Sequence, residues 1–129
     1  MSALVTEEEI QLVKSYIMLP MILSAFERDI KKIEETMKTP DPYTEAIKLA
    51  MDKATKVLTE VRRSMFKTGL KVFETVKNDN GVKAKYMFRG YTGEMVLLND
   101  FLKAECMMRM KTYMGVDTSR YTDCSVTGR

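Results

Sequence analysis

Residues 43–68 constrain the fold more than any other stretch of this chain. Apolar side chains fall at Tyr43, Ile47, Ala50, Met51, Ala54, Val57, Leu58, Val61 and Met65. Those steps of three and four put them on one side of an α-helix, and no helix breaker interrupts them. Asp41 is placed to cap the first turn, and Pro42 to fill the first helical position, where its missing N–H costs nothing. Gly69 stands where a left-handed cap would end the helix. At about 1.5 Å per residue such a rod is roughly 39 Å long, so the rest of a small domain must pack against it or hang from its end.

The preceding segment, 7–38, also reads as helix. Thr6 followed by Glu9 matches a capping box, and Ile22, Leu23, Phe26, Ile30, Ile33 and Met37 form one apolar face. Pro20 lies inside this segment. An interior proline removes a backbone hydrogen bond and crowds the carbonyl four residues back, which predicts a kink or a split near Leu19. Thr39-Pro40-Asp41-Pro42 is a tight connection, because a residue before proline is pushed out of the helical region. Two long helices joined so briefly pack antiparallel.

Past Gly69 the period changes from 3.6 to 2. Leu70, Val72, Glu74 and Val76 alternate with Lys71, Phe73, Thr75 and Lys77, and Val82, Ala84, Tyr86 and Phe88 alternate with Lys83, Lys85, Met87 and Arg89. Between them lies Asn78-Asp79-Asn80-Gly81, whose Asn and Gly tolerate positive φ. The pattern predicts a β-hairpin over 70–77 and 82–89, closed near Asn80-Gly81. Gly90-Tyr91-Thr92-Gly93 reads as a loop, and 95–98 as a short third strand or a helix start. Asn99 or Asp100 is placed to cap a last helix that reaches Met114 and ends at Gly115, with Leu98, Leu102, Cys106, Met110 and Tyr113 on one side. The expected fold is mainly α, of the α+β class: a long antiparallel helical hairpin, one β-hairpin and a C-terminal helix in a single domain over 1–115. The remainder, 116–129, lacks periodicity and is expected to be a disordered tail.

The 129 residues suit one hydrophobic core. The start is acidic at Glu7, Glu8 and Glu9 and has no basic region, so no signal peptide is read there. The strongest apolar run, 16–23, is too short to span a bilayer. Two cysteines, Cys106 and Cys124, make no disulfide framework, and a cytoplasmic location is the expectation. The chain has no histidine, which removes the usual general base, the usual zinc ligand and any Ser-His or Cys-His pair. Gly90 and Gly93 lack the spacing and the lysine of a phosphate loop. The reading is a protein that is no enzyme and needs no cofactor or metal.

Charge is distributed unevenly. Residues 1–47 carry a net −4, residues 48–89 a net +7, and residues 90–129 balance. On a helical wheel Lys48, Lys53, Lys56, Arg63 and Lys67 fall away from the apolar stripe, with Arg62 at its margin. The hairpin adds Lys71, Lys77, Lys83, Lys85 and Arg89, interleaved with Tyr86 and Phe88. Fixed positive charges on one surface bind phosphates, and aromatic rings stack on bases. These residues are the candidate nucleic-acid surface. The plainer alternative is a helix face kept soluble by mixed charge, since Asp52 and Glu60 sit among the lysines.

Tyr16, Ile17, Met18, Leu19, Met21 and Ile22 are apolar all round the helix and call for burial on every side. In so small a domain this predicts a homodimer that buries them between subunits. Met107, Met108, Met110 and Met114 form a second soft surface, suited to core filling or to varied partners.

The Leu19-Pro20 pair inside the first helix, Asp29 after it, and Arg89-Gly90-Tyr91 before the last helix resemble small uncharacterised proteins encoded by phages and prophages. The resemblance implies no activity; it implies a small regulator or an inhibitor of a host protein. The sequence therefore leads to a non-enzymatic regulatory binding protein that contacts nucleic acid. Its rivals are a protein-binding adaptor or inhibitor and an assembly subunit.

Overall fold

The computed structural model describes residues 5–119. Its elements are α1 (Glu7–Thr36), α2 (Asp41–Thr68), β1 (Leu70–Lys77), β2 (Gly81–Phe88), β3 (Tyr91–Leu98) and α3 (Asn99–Tyr113). The class is α+β, as the two periods predict. The tail expected over 116–129 lies outside the described residues beyond 119.

α1 opens on the capping box read from the sequence. The Glu9 amide donates to Thr6 Oγ1 at 3.2 Å, and the Thr6 amide donates to Glu9 Oε1 at 2.9 Å. Such a cap stabilises a helix by about 1 kcal/mol. Pro20 does not split the helix, which runs unbroken through it. By length and composition α1 is apolar enough to cross a bilayer, a property it shares with the core helix of many proteins. Here its Val13, Met18, Leu19 and Ile22 lie fully inside the chain's own core. Each such side chain stabilises the fold by roughly 1.5–3 kcal/mol through burial.

α2 starts one residue earlier than the sequence suggests. Pro40 is its N-cap and no side chain caps it, so Asp41 is a first-turn residue and not the cap. The Thr44 amide instead donates to the Pro40 carbonyl at 2.9 Å. Ile47, Ala50, Ala54, Leu58, Val61 and Met65 are buried, but Tyr43 is 49% exposed. Its angle on the wheel is right. At that end of the helical hairpin, however, Met37 is exposed too, and no third element covers the pair. Gly69 has φ 75° and its N–H reaches the Met65 and Phe66 carbonyls, the left-handed cap expected there.

The sheet has three antiparallel strands in the order β1-β2-β3, one more than the hairpin read from the sequence. The stretch from Tyr91 to Gly93, expected as loop, is strand. The reversal before it is confined to Arg89 and Gly90, at φ 51° and 86°, between the paired Phe88 and Tyr91. Two positive φ values are what a two-residue hairpin turn needs to match strand twist. Gly93 keeps its place in β3 because the Tyr86 ring lies over it; a Cβ there would come within 2.6 Å of that ring. Gly81 is likewise required, since a Cβ would strike the Leu97 carbonyl.

β1 departs from simple alternation. Val72 pairs with Tyr86 but Glu74 pairs with Lys85, so Phe73 is an extra residue in a bulge. Beyond it the faces exchange: Thr75 and Lys77 oppose the buried Ala84 and Val82, and Val76 turns outward opposite Lys83. Val76 is accordingly exposed, while Val72 remains partly buried. β2 follows the expected alternation, with Val82, Ala84, Tyr86 and Phe88 all buried.

α3 is capped by the backbone of Leu98, and neither Asn99 nor Asp100 serves as cap. The Asn99 side chain donates instead to the Asp79 carbonyl at 2.7 Å, and its amide donates to the Asn80 carbonyl at 2.9 Å. These bonds tie the start of α3 to the first hairpin loop. Leu102 is buried and Cys106, Met110 and Tyr113 are partly so, but Leu98 is exposed.

Candidate functional site

The outer side of α2 is set by the helix period alone. Because Ile47, Ala50, Ala54, Leu58, Val61 and Met65 face the core, Lys48, Lys53, Lys56, Arg63 and Lys67 face solvent, with Arg62 at the margin. All six are exposed. Among the described residues none of them forms an ion pair, although Asp52 and Glu60 share the same helix. Their charges stay directed at solvent.

Three of the cations predicted on the hairpin are placed differently. Lys83 and Lys85 stand on the outer face of the sheet, half-exposed, with Lys83 Nζ 3.5 Å from Glu94 and Lys85 Nζ 4.0 Å from Glu74. Cross-strand pairing thus offsets part of their charge. Arg89 projects from the turn between β2 and β3, its guanidinium carbon 4.2 Å from the Phe88 ring centre. Its Nη2 donates to Glu9 Oε2 at 3.3 Å. Glu9 is a buried carboxylate, so Arg89 neutralises a charge that folding has taken out of water. The predicted residues therefore differ in state: among the described residues the six cations of α2 form no ion pair, and Lys83, Lys85 and Arg89 are paired.

The residues predicted at a subunit interface also divide. Met18 and Leu19 are fully buried within one chain, and Ile17 and Ile22 nearly so. The chain covers them itself, within a core that they share with residues of α2, the sheet and α3. They are not available to a second subunit in the folded protein, which corrects the expectation of an all-round apolar helix left for a partner. Tyr16 and Met21 remain half-buried, at the wall of a groove of about 1110 Å³ between α1, α3 and the end of the hairpin. Met107 and Met110 of α3 and Met114 just past its end line its other side, and Arg28, Arg62, Lys77, Lys103 and Lys111 are distributed around it.

Inside this groove, burial pushes the Cys106 thiol above its ordinary value; Arg109 pulls it back and Glu105 raises it further. Burial raises the Tyr113 phenol as well, again opposed by Arg109. Both groups stay protonated at neutral pH. Among the described residues no cluster of three or more cysteine or acidic side chains is placed to hold a metal ion.

Two features escaped the reading of the sequence. Phe66 is 87% exposed on the outer side of α2, and the same wheel that turns Lys48 outward turns Phe66 outward with it. The groove could not be read at all, because its walls come from segments far apart in the chain.

Comparison with known proteins places these features in a family. The model of the YhjD protein family matches residues 4–118. A relative from Bacillus subtilis (strain 168), described as "Uncharacterized protein YhjD", is 33% identical over 86 residues, covering 66% of this chain and 72% of the relative. No solved structure matches significantly. Neither match bears on a phage or prophage origin. The chain belongs to the YhjD family.

Proposed function

We propose that this YhjD-family chain is a small, non-enzymatic regulatory binding protein that contacts nucleic-acid phosphates through the outer side of α2. One observation carries the reading. Among the described residues the six exposed cations of α2 form no ion pair, whereas Lys83, Lys85 and Arg89 of the hairpin each have a carboxylate within 4.0 Å. A phosphate backbone neutralises free cations and releases its own counterions, and paired cations contribute less to that exchange. The surface proposed from the sequence thus narrows from helix and hairpin to the helix.

A salt titration of binding to duplex DNA tests it. Affinity should fall with salt at a log–log slope near −0.9 per phosphate contacted. Replacing Arg63 and Lys67 together with alanine should flatten that slope by about 2. Binding that is absent at low salt would overturn the reading and leave a solvated helix face.

The groove supports a second reading, an adaptor or inhibitor that seats an apolar segment of another protein. Its methionine wall suits a partner of variable shape, and five basic residues against one acidic residue, Asp29, line it. Met107→Glu would place a charge in that wall. Loss of a protein partner in this variant, with DNA binding intact, would favour the second reading over the first.

A further inference from the structure

The end of α2 presents a ring that the fold leaves in water. Phe66 is more exposed than any other large apolar side chain among the described residues. Arg62 and Arg63 precede it by four and three positions, so both lie on its side of the helix one turn back. Lys67 follows directly. Gly69 then reverses the chain at φ 75° into β1, where Lys71 is exposed. Lys71 is four positions after Lys67, so their Cα atoms lie within about 14 Å. From Arg62 to Phe73 the sequence has no acidic residue, and the carboxylates of α2, at Asp41, Glu45, Asp52 and Glu60, all fall earlier.

This corner differs in kind from the rest of the basic side. Around Lys48 and Lys56 there are cations alternating with acids. Between Arg62 and Phe73 the chain itself supplies four cations, no acid, and an aromatic face open to solvent. Cations alone do not distinguish one form of nucleic acid from another. A free aromatic face does, because the bases of a duplex are already stacked on one another and those of a single strand are not.

We propose that the α2–β1 corner binds single-stranded nucleic acid, with Phe66 stacking on an unpaired base while Arg62, Arg63, Lys67 and Lys71 hold the flanking phosphates. The proposal rests on the phosphate-binding reading of α2 and adds the strand state. An anionic membrane surface would also attract these cations, but membrane attachment through a helix face uses a row of apolar side chains. On α2 the next exposed apolar side chain is Leu49, about 25 Å away along the helix axis.

The chain has no tryptophan, so Phe66→Trp adds a single fluorescent reporter at the site. Binding of the full chain to labelled oligo(dT) and to a duplex of equal length would be measured for the native protein, Phe66→Ala, Phe66→Trp and the Arg63→Ala/Lys67→Ala pair. Native protein should prefer the single strand. Phe66→Ala should weaken single-strand binding about 10-fold and leave duplex binding and the melting temperature unchanged. Phe66→Trp should restore it, and its emission should be quenched as oligo(dT) binds. The double change should weaken binding to both.

Equal affinity for both forms with no effect of Phe66→Ala would overturn the stacking proposal and leave the phosphate reading standing. No binding to either form would overturn both. Binding to phosphatidylglycerol vesicles that Phe66→Ala abolishes, with no binding to oligo(dT), would assign the corner to a membrane and overturn the proposal.

Discussion

The hairpin cations Lys83, Lys85 and Arg89 and the cations of α2 have the same chemistry and opposite employment. Arg89 is held by a buried carboxylate 80 positions away, and Lys83 and Lys85 by carboxylates on neighbouring strands. Among the described residues Lys48, Lys53, Lys56, Arg63 and Lys67 form no ion pair. A basic residue in a sequence therefore says little until its surroundings are known. What separates structural from available charge is the carboxylate beside it, and in this chain that carboxylate arrives through tertiary packing.

The largest effect expected from this contrast is on the structural side. Glu9→Ala removes the side-chain half of the α1 capping box and the partner of Arg89 together, and should destabilise the protein by about 2–3 kcal/mol in urea unfolding. Oligonucleotide affinity should not change. A loss under about 0.5 kcal/mol would mean that the Glu9–Arg89 contact holds nothing.

Arg89→Ala should cost less, about 1–2 kcal/mol by the same measurement. It leaves the Glu9 carboxylate buried without its partner, but Arg89 is half-exposed and water weakens the interaction. If this variant flattened the salt dependence of binding as strongly as a change on α2 does, the division between the two groups of cations would fail.

Replacing Lys83 and Lys85 together with alanine should alter stability by less than about 1 kcal/mol, because both pairs are exposed. The salt slope of DNA binding should also stay the same. At the other end of the scale, the Arg63→Ala/Lys67→Ala pair should change stability by no more than about 0.5 kcal/mol while reducing that slope by about 2. Thermal unfolding and the salt titration, run on both double variants, would show opposite profiles.

Much of the architecture was legible because it is local. The Thr6/Glu9 box, the stripe from Ile47 to Met65, the Gly69 cap and the alternation of β2 each depend on residues a few positions apart. The departures come from contacts across the chain. An alternation count cannot see that Phe73 is an extra residue, since the bulge exists only relative to β2. Gly93 looks like a loop residue until Tyr86 covers it, and Arg89-Gly90 lacks the Asn-Gly signature of a tight turn. The candidate site divided along the same line. The six α2 cations were readable from helical period alone. The pairing of Lys83, Lys85 and Arg89, and the covering of Met18 and Leu19 by their own chain, depend on which segments fold back on which.

The bulge at Phe73 also bears on how the protein behaves when it is concentrated. β1 and β3 are both edges, each with a row of backbone donors and acceptors that no further strand pairs. On β1 the extra residue offsets that row, and Lys71 and Lys77 set charge along it, so a strand from another molecule finds no matching register. β3 pairs without a register shift and carries a single charge, Glu94. Its outward Val96 is exposed. Strand-by-strand aggregation of this protein should therefore start at β3, and a lysine in place of Val96 should delay it.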